Sequence, residues 1–244
     1  MSRARIFGVW LDLLGMEQTL VRCKELIEEC RPVQHVVLNA SKVVLMEDVA
    51  GLREIIERCD LVSADGMSVV WAGRLLGAPV PERVAGIDLM ERLLGLCESE
   101  RWPVYFLGAK QDVLEAFTQV ALAKFPHLVI AGTRDGYFDD DAAVATEIGA
   151  ARPRVLFVGM SSPRKEQFLS EHLRGMGPVF AMGVGGSFDV WAGQIRRAPV
   201  WMQRAGLEWF HRLSQEPRRM WRRYLVGNAR FAGITVRERF GKKR

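Results

Sequence analysis

At 244 residues, with 49% hydrophobic and 26% charged residues, the chain is long enough for one large core, with or without an appendage, which excludes a disordered or fibrous protein. The four cysteines, Cys23, Cys30, Cys59 and Cys97, lack CxxC spacing, which argues against a disulfide framework or a zinc ribbon and reads as the thiols of a reducing cytoplasm. The net charge of +5 hides an asymmetry: residues 196–244 hold 14 Lys and Arg against 3 Asp and Glu, and residues 1–195 hold 20 against 26. A mildly acidic body carries a strongly basic C-terminal segment.

Near the N-terminus Arg3 and Arg5 lead into the apolar run Ile6–Trp10, but Asp12 interrupts it and no small-residue cleavage site follows, so this is not read as a signal peptide. No run reaches the roughly 18 apolar residues needed to cross a bilayer, and the expectation is a soluble or peripheral protein. Ile6–Leu14 predicts a strand pair or a strand and turn, and Met16–Glu29 a helix with Leu20, Cys23, Leu26 and Ile27 on one side. Val33–Leu38 reads as a buried strand. Asn39 and Ser41 open a helical region whose second half, Asp48–Cys59, has its own cap.

Leu61–Ser63 is a further strand, and Ala64-Asp65-Gly66 turns the chain at its carboxyl end. Ligands of open α/β sheets bind at such ends, where a carboxylate can accept a hydroxyl proton. The alternative is an aspartate that bonds turn amides or caps the helix starting at Met67. That helix runs to Leu76 and stops at Gly77. Asp88, three residues before Glu91, is read locally as an N-cap completed by a capping box.

Helices over Leu89–Glu100, Asp112–Lys124 and Ala142–Ala151 then alternate with strands over Val104–Leu107, Val129–Ala131, Val155–Val158 and Val179–Met182, and Ser162 starts one more helix. This alternation predicts a Rossmann-like α/β fold, a parallel sheet with helices on both faces. Two turns present amides to an anion: Gly108-Ala109-Lys110 and the cluster Gly183-Val184-Gly185-Gly186. Neither matches GxGxxG or GxxxxGK[ST], which disfavours a nicotinamide cofactor or a P-loop; tight backbone packing is the competing explanation. In Ser161–Gln167, Arg164 and Lys165 sit at the positive end of a helix, which points to a nearby anion or to a solvated helix start.

In the basic segment, Arg218, Arg219, Arg222 and Arg223 fall on one helical arc, and Met220, Trp221, Tyr224 and Leu225 on the opposite one. Such a helix suits an anionic membrane interface, or packs on the body with solvated arginines. The acidic body and the lack of a nucleic-acid motif argue against nucleic acid as a partner.

From end to end the order of motifs resembles the bacterial WecG/TagA/CpsF glycosyltransferase family. The matching residues are LNASKV at Leu38–Val43, ADGMSVVW at Ala64–Trp71, ERVAGIDL at Glu82–Leu89, FLGAK at Phe106–Lys110, DGYF at Asp135–Phe138 and SSPRKE at Ser161–Glu166, followed by the long block Gly183–Arg219. The resemblance implies an inverting transfer of an N-acetylmannosamine-like or related sugar from a UDP-sugar to a polyprenyl-diphosphate-linked sugar at the inner face of the cytoplasmic membrane. It implies residues 1–195 as the catalytic core and 196–244 as a helical appendage at the membrane. It makes Asp65 the base, and the leaving diphosphate's need for positive charge makes Arg83 a candidate catalytic residue. Asn39, Asp88, Gly108, Lys165, Glu166, Gly185, Gly186, Arg196 and Arg197 become substrate-binding residues, and Arg218, Arg219, Trp221, Arg222 and Arg223 holders of the lipid diphosphate. No DxD-type metal motif is evident, so neither metal nor cofactor is expected. Val37 stands where many members carry threonine, and Lys165 where many carry glutamine, which leaves the donor sugar open and leaves a non-catalytic nucleotide-sugar or membrane-binding protein as the alternative.

Overall fold

The computed structural model describes residues 2–177, 179–215, 217, 221 and 225–241. Its centre is a six-stranded parallel sheet. In chain order the strands are β3 (Val33–Leu38), β4 (Leu61–Ala64), β5 (Val104–Gly108), β6 (Ile130–Arg134), β7 (Val155–Gly159) and β8 (Phe180–Gly183), arranged 4-3-8-7-5-6. Every residue of β3, β4, β5 and β8 is buried, the pattern of a sheet covered on both faces. The N-terminal strands β1 (Arg3–Ile6) and β2 (Val9–Asp12) form a separate antiparallel hairpin, tied to β4 where the Val62 amide donates to Asp12 Oδ2 at 2.8 Å.

On one face α1 (Met16–Glu28), α5 (Gly86–Ser99), α6 (Gln111–Lys124) and α9 (Ser187–Trp191) surround Phe106, Phe117, Phe157 and Phe188. Each such fully buried ring contributes about 1.5–3 kcal/mol of transfer free energy. Between α1 and α5 in the chain come α2 (Ala40–Asp48), α3 (Leu52–Glu57) and α4 (Met67–Leu75), which complete the core beside the hairpin. Then α7 (Asp141–Ala151) and α8 (Arg164–His172) cover Tyr105, Leu156 and Val158.

Beyond the sheet lie α10 (Val200–Arg204), α11 (Glu208–Gln215) and α12 (Gly227–Gly241). Helix α12 returns to the body. Arg230 pairs with Asp48 at 2.6 and 2.8 Å, Arg237 with Glu47 at 2.6 Å, and Phe231 packs on Phe7 with ring centroids 5.4 Å apart.

Three local expectations are corrected. The region opened by Asn39 is two helices, and the second starts after Gly51 instead of being capped by Asp48, which is the last residue of α2. Asp65 does not cap α4, whose N-cap is Gly66. Asp88 does not cap α5 either: that helix begins at Gly86 behind Ala85, which leaves Asp88 in the first turn with its side chain free for a distant partner.

Candidate active site

The carboxyl ends of the strands open into a cleft of about 1370 Å³. Each strand end delivers part of the wall: Asn39 after β3, Asp65 after β4, Ala109 and Lys110 after β5, Gly136 and Tyr137 after β6, Met160–Ser162 after β7, and Val184–Gly186 after β8. Residues Gln194–Ala198, Glu208, Trp209 and Arg212 close one side, and Asn228 and Phe231 of α12 another. The sheet order thus places Asn39, Asp65 and α12 toward one end, and the glycine turns after β8, β7 and β5 toward the other.

Asp65 lies half-buried at the floor. Its amide donates to Leu38 O at 2.8 Å, and Gly66, with φ 110°, turns the chain into α4. Among the described residues its carboxylate makes no hydrogen bond or ion pair. Burial pushes the carboxyl up to about 6; the positive charges of Arg83 and Lys42 oppose this, and the negative charges of Glu208 and Asp88 add to it. A carboxylate that titrates near neutrality and faces a cleft is equipped to accept a proton.

Arg83, 12% exposed, reaches the same floor and donates through Nη1 to Glu208 Oε2. Asp88 accepts a two-pronged contact from Arg197, with both N–O distances 2.7 Å. This contact outweighs the cost of burying the guanidinium and raises its affinity for the proton. Asp88 is thus paired with Arg197 and stands behind the residues that line the cleft. Arg196 lines the cleft while its backbone is held by Gln215 at 3.0 and 3.1 Å.

A second acidic group, Glu166, is buried and engaged through one carboxylate oxygen. Glu166 Oε1 lies 2.7 Å from Lys42 Nζ, off hydrogen-bond geometry, and 3.0 Å from Lys165 Nζ and Ser162 Oγ. Burial alone would raise the Glu166 carboxyl; Lys42 and Lys165 outweigh it and hold the group below its ordinary range. Glu166 is not part of the cleft wall, whereas its partners Lys42 and Lys165 both line the cleft. Arg164, which also lines the cleft, grips Asp141 and lies over the Phe138 ring.

Gly108 packs against the neighbouring strand end. With φ 125°, a Cβ there would lie 2.5 Å from the Gly159 carbonyl carbon, and the wall is formed by Ala109 and Lys110 beyond it. Gly185 and Gly186 do line the cleft. The Arg212 guanidinium approaches Gly186, and no carboxylate partner of Arg212 occurs among the described residues. Arg218, Arg219, Arg222 and Arg223 lie outside the described residues; Trp221 is exposed. Lys42, Glu208, Arg212 and Asn228 escape the sequence reading. Lys42, Glu208 and Arg212 stand inside matched motifs, but nothing in the sequence places Asn228 in a cleft. Among the described residues no three His, Cys, Asp or Glu side chains gather as a metal-binding group, and no helix is long and apolar enough to cross a membrane.

The sequence model of the glycosyl transferase WecG/TagA/CpsF family matches residues 4–244. An N-acetylglucosaminyldiphosphoundecaprenol N-acetyl-beta-D-mannosaminyltransferase of Bacillus subtilis is 34% identical over 190 residues, 78% of this chain and 73% of the relative. The protein of the same name from Bacillus spizizenii is 37% identical over 171 residues, 70% of this chain and 66% of the relative. The chain thus spans about two thirds to three quarters of these relatives.

Proposed function

Because this chain belongs to the WecG/TagA/CpsF family of glycosyltransferases, we propose that its cleft transfers a sugar from a UDP-sugar to a polyprenyl-diphosphate-linked sugar, with inversion and without a metal ion. The single observation that carries this reading is Asp65: a carboxylate at a strand end with no partner among the described residues, raised to about 6 in a cleft lined also by Arg83 and Lys42.

In the proposed step Asp65 takes the proton of the acceptor hydroxyl as that oxygen bonds to the anomeric carbon. The bond from that carbon to the diphosphate breaks, and its electron pair leaves on UDP. Charge building on the leaving diphosphate is met by amides at Gly185 and Gly186 and by Arg83, Arg196 and Arg212. No cofactor takes part. The donor diphosphate occupies the glycine-turn end, and the acceptor enters at the end bounded by Asn39 and Asn228.

Residues 196–244 are proposed as an appendage that closes this site and rests on the cytoplasmic membrane surface. The exposed Trp201 and Trp221 and the excess of arginine support that placement. The relatives' names support a donor related to N-acetylmannosamine and an acceptor bearing N-acetylglucosamine on undecaprenyl diphosphate. The test is UDP release from a panel of UDP-sugars in EDTA, with and without such an acceptor in liposomes. Acceptor-dependent release from one donor is expected; binding of donor with no release from any of them would favour a nucleotide-sugar-binding protein.

A further inference from the structure

Glu208 has no part in the reaction as described, yet its carboxylate lies in the cleft and takes the Arg83 guanidinium. Four charged groups act electrostatically on Asp65: Arg83 from the loop before α5, Glu208 from α11, Lys42 from α2 and Asp88 from α5. Each has a partner other than Asp65. Lys42 lies against Glu166, Asp88 is held by Arg197, and Arg83 is held by Glu208. Arg83 is the cation that most strongly affects Asp65. With Glu208 removed, nothing else among the described residues is bonded to the Arg83 side chain, and the carboxylate at the cleft floor becomes its available anion. A carboxylate paired directly with a guanidinium titrates about 1–3 units lower, which makes it a poorer base.

We propose that Glu208 is a positioning residue that holds Arg83 off Asp65, leaving the Asp65 carboxylate free to take the acceptor's proton; this rests on the reading of Asp65 as the base. Arg83 keeps its role toward the diphosphate, because a guanidinium carries five N–H donors and only Nη1 is seen engaged with Glu208. The appendage thereby sets the chemistry of a residue on the sheet.

The Asp65 carboxyl carbon, labelled with carbon-13 and assigned by its loss in Asp65→Asn, is titrated by NMR in the full chain. Glu208→Gln is expected to lower its midpoint by about one pH unit or more and to move the acidic limb of UDP release with it. In the Arg83→Gln background the same Glu208→Gln substitution is expected to lower the midpoint far less. An unmoved midpoint in folded Glu208→Gln overturns the inference, and so does a fall of equal size in both backgrounds, because the field of Glu208 alone would then explain it. Should the Gln variant not fold, Glu208→Asp, which withdraws the carboxylate by one methylene, is expected to give the same fall at smaller size, and an unmoved midpoint there counts equally against it. If Asp65→Asn keeps full turnover, the base reading fails, while the NMR titration still decides whether Glu208 keeps Arg83 off Asp65.

Discussion

Two acidic side chains share the region of one cleft and behave in opposite ways. Asp65 at the floor has no partner among the described residues and is raised to about 6, whereas the buried Glu166 touches two lysines and a serine and is held low. Both are removed from bulk water, so burial acts on both in the same direction. The difference lies in where the neighbouring cations are bonded. Around Glu166 they converge on the carboxylate; around Asp65 they are drawn away, Arg83 to Glu208 and Lys42 to Glu166 itself. A buried acid becomes a base or a structural anchor according to who else claims its counterions.

The comparison is broken most strongly at Asp65. Asp65→Asn is expected to cut acceptor-dependent UDP release by about 10²–10⁴-fold, with donor binding measured by calorimetry retained. Stability carries a sign as well. A folded carboxyl raised to about 6 from its ordinary 3.8 favours the fold at acid pH and loses that contribution as pH rises through its folded value. Thermal melts of the Asn variant are therefore expected to gain on the wild type between about pH 4 and pH 8.

Glu166→Ala leaves two buried ammonium groups without their carboxylate and is expected to cost about 3–5 kcal/mol in urea unfolding. Here the sign is reversed. The carboxyl is depressed below its ordinary 4.5, so its contribution is present above that pH and fades below it, and the deficit of Glu166→Gln is expected to shrink as the solution is acidified.

Smaller effects separate donor from acceptor. Arg212→Gln removes a cation beside Gly186 that has no carboxylate partner among the described residues and is expected to raise the donor KM by about 10–100-fold, the range of one charged hydrogen bond. Asn228 lines the cleft and has no hydrogen-bond partner among the described residues. Asn228→Ala is expected to raise the acceptor KM by at most about tenfold, as for a neutral hydrogen bond, and to leave the donor KM unchanged.

Which of these residues the sequence reveals follows from distance along the chain. Asp65 is legible because a short apolar strand, an Asp-Gly turn and a helix lie within a few residues of one another, and the alternation of strands and helices supplies the parallel sheet around it. Asp88 is misread as a cap because capping is a local rule, whereas its partner Arg197 is 109 residues away. Glu208 meets Arg83 across 125 residues, and Asn228 reaches the cleft only because Arg230, Phe231 and Arg237 dock α12 on the body. At Glu166 the residue types are plain, but their burial is not: only the fold shows that the lysines answer the protein's own carboxylate.

The most direct test of the central claim is the pH dependence of kcat/KM for acceptor-dependent UDP release. An acidic limb with its midpoint near 6, matching the titration of Asp65, is the result predicted. A rate that stays level from about pH 5 to pH 8 would contradict a base at that position.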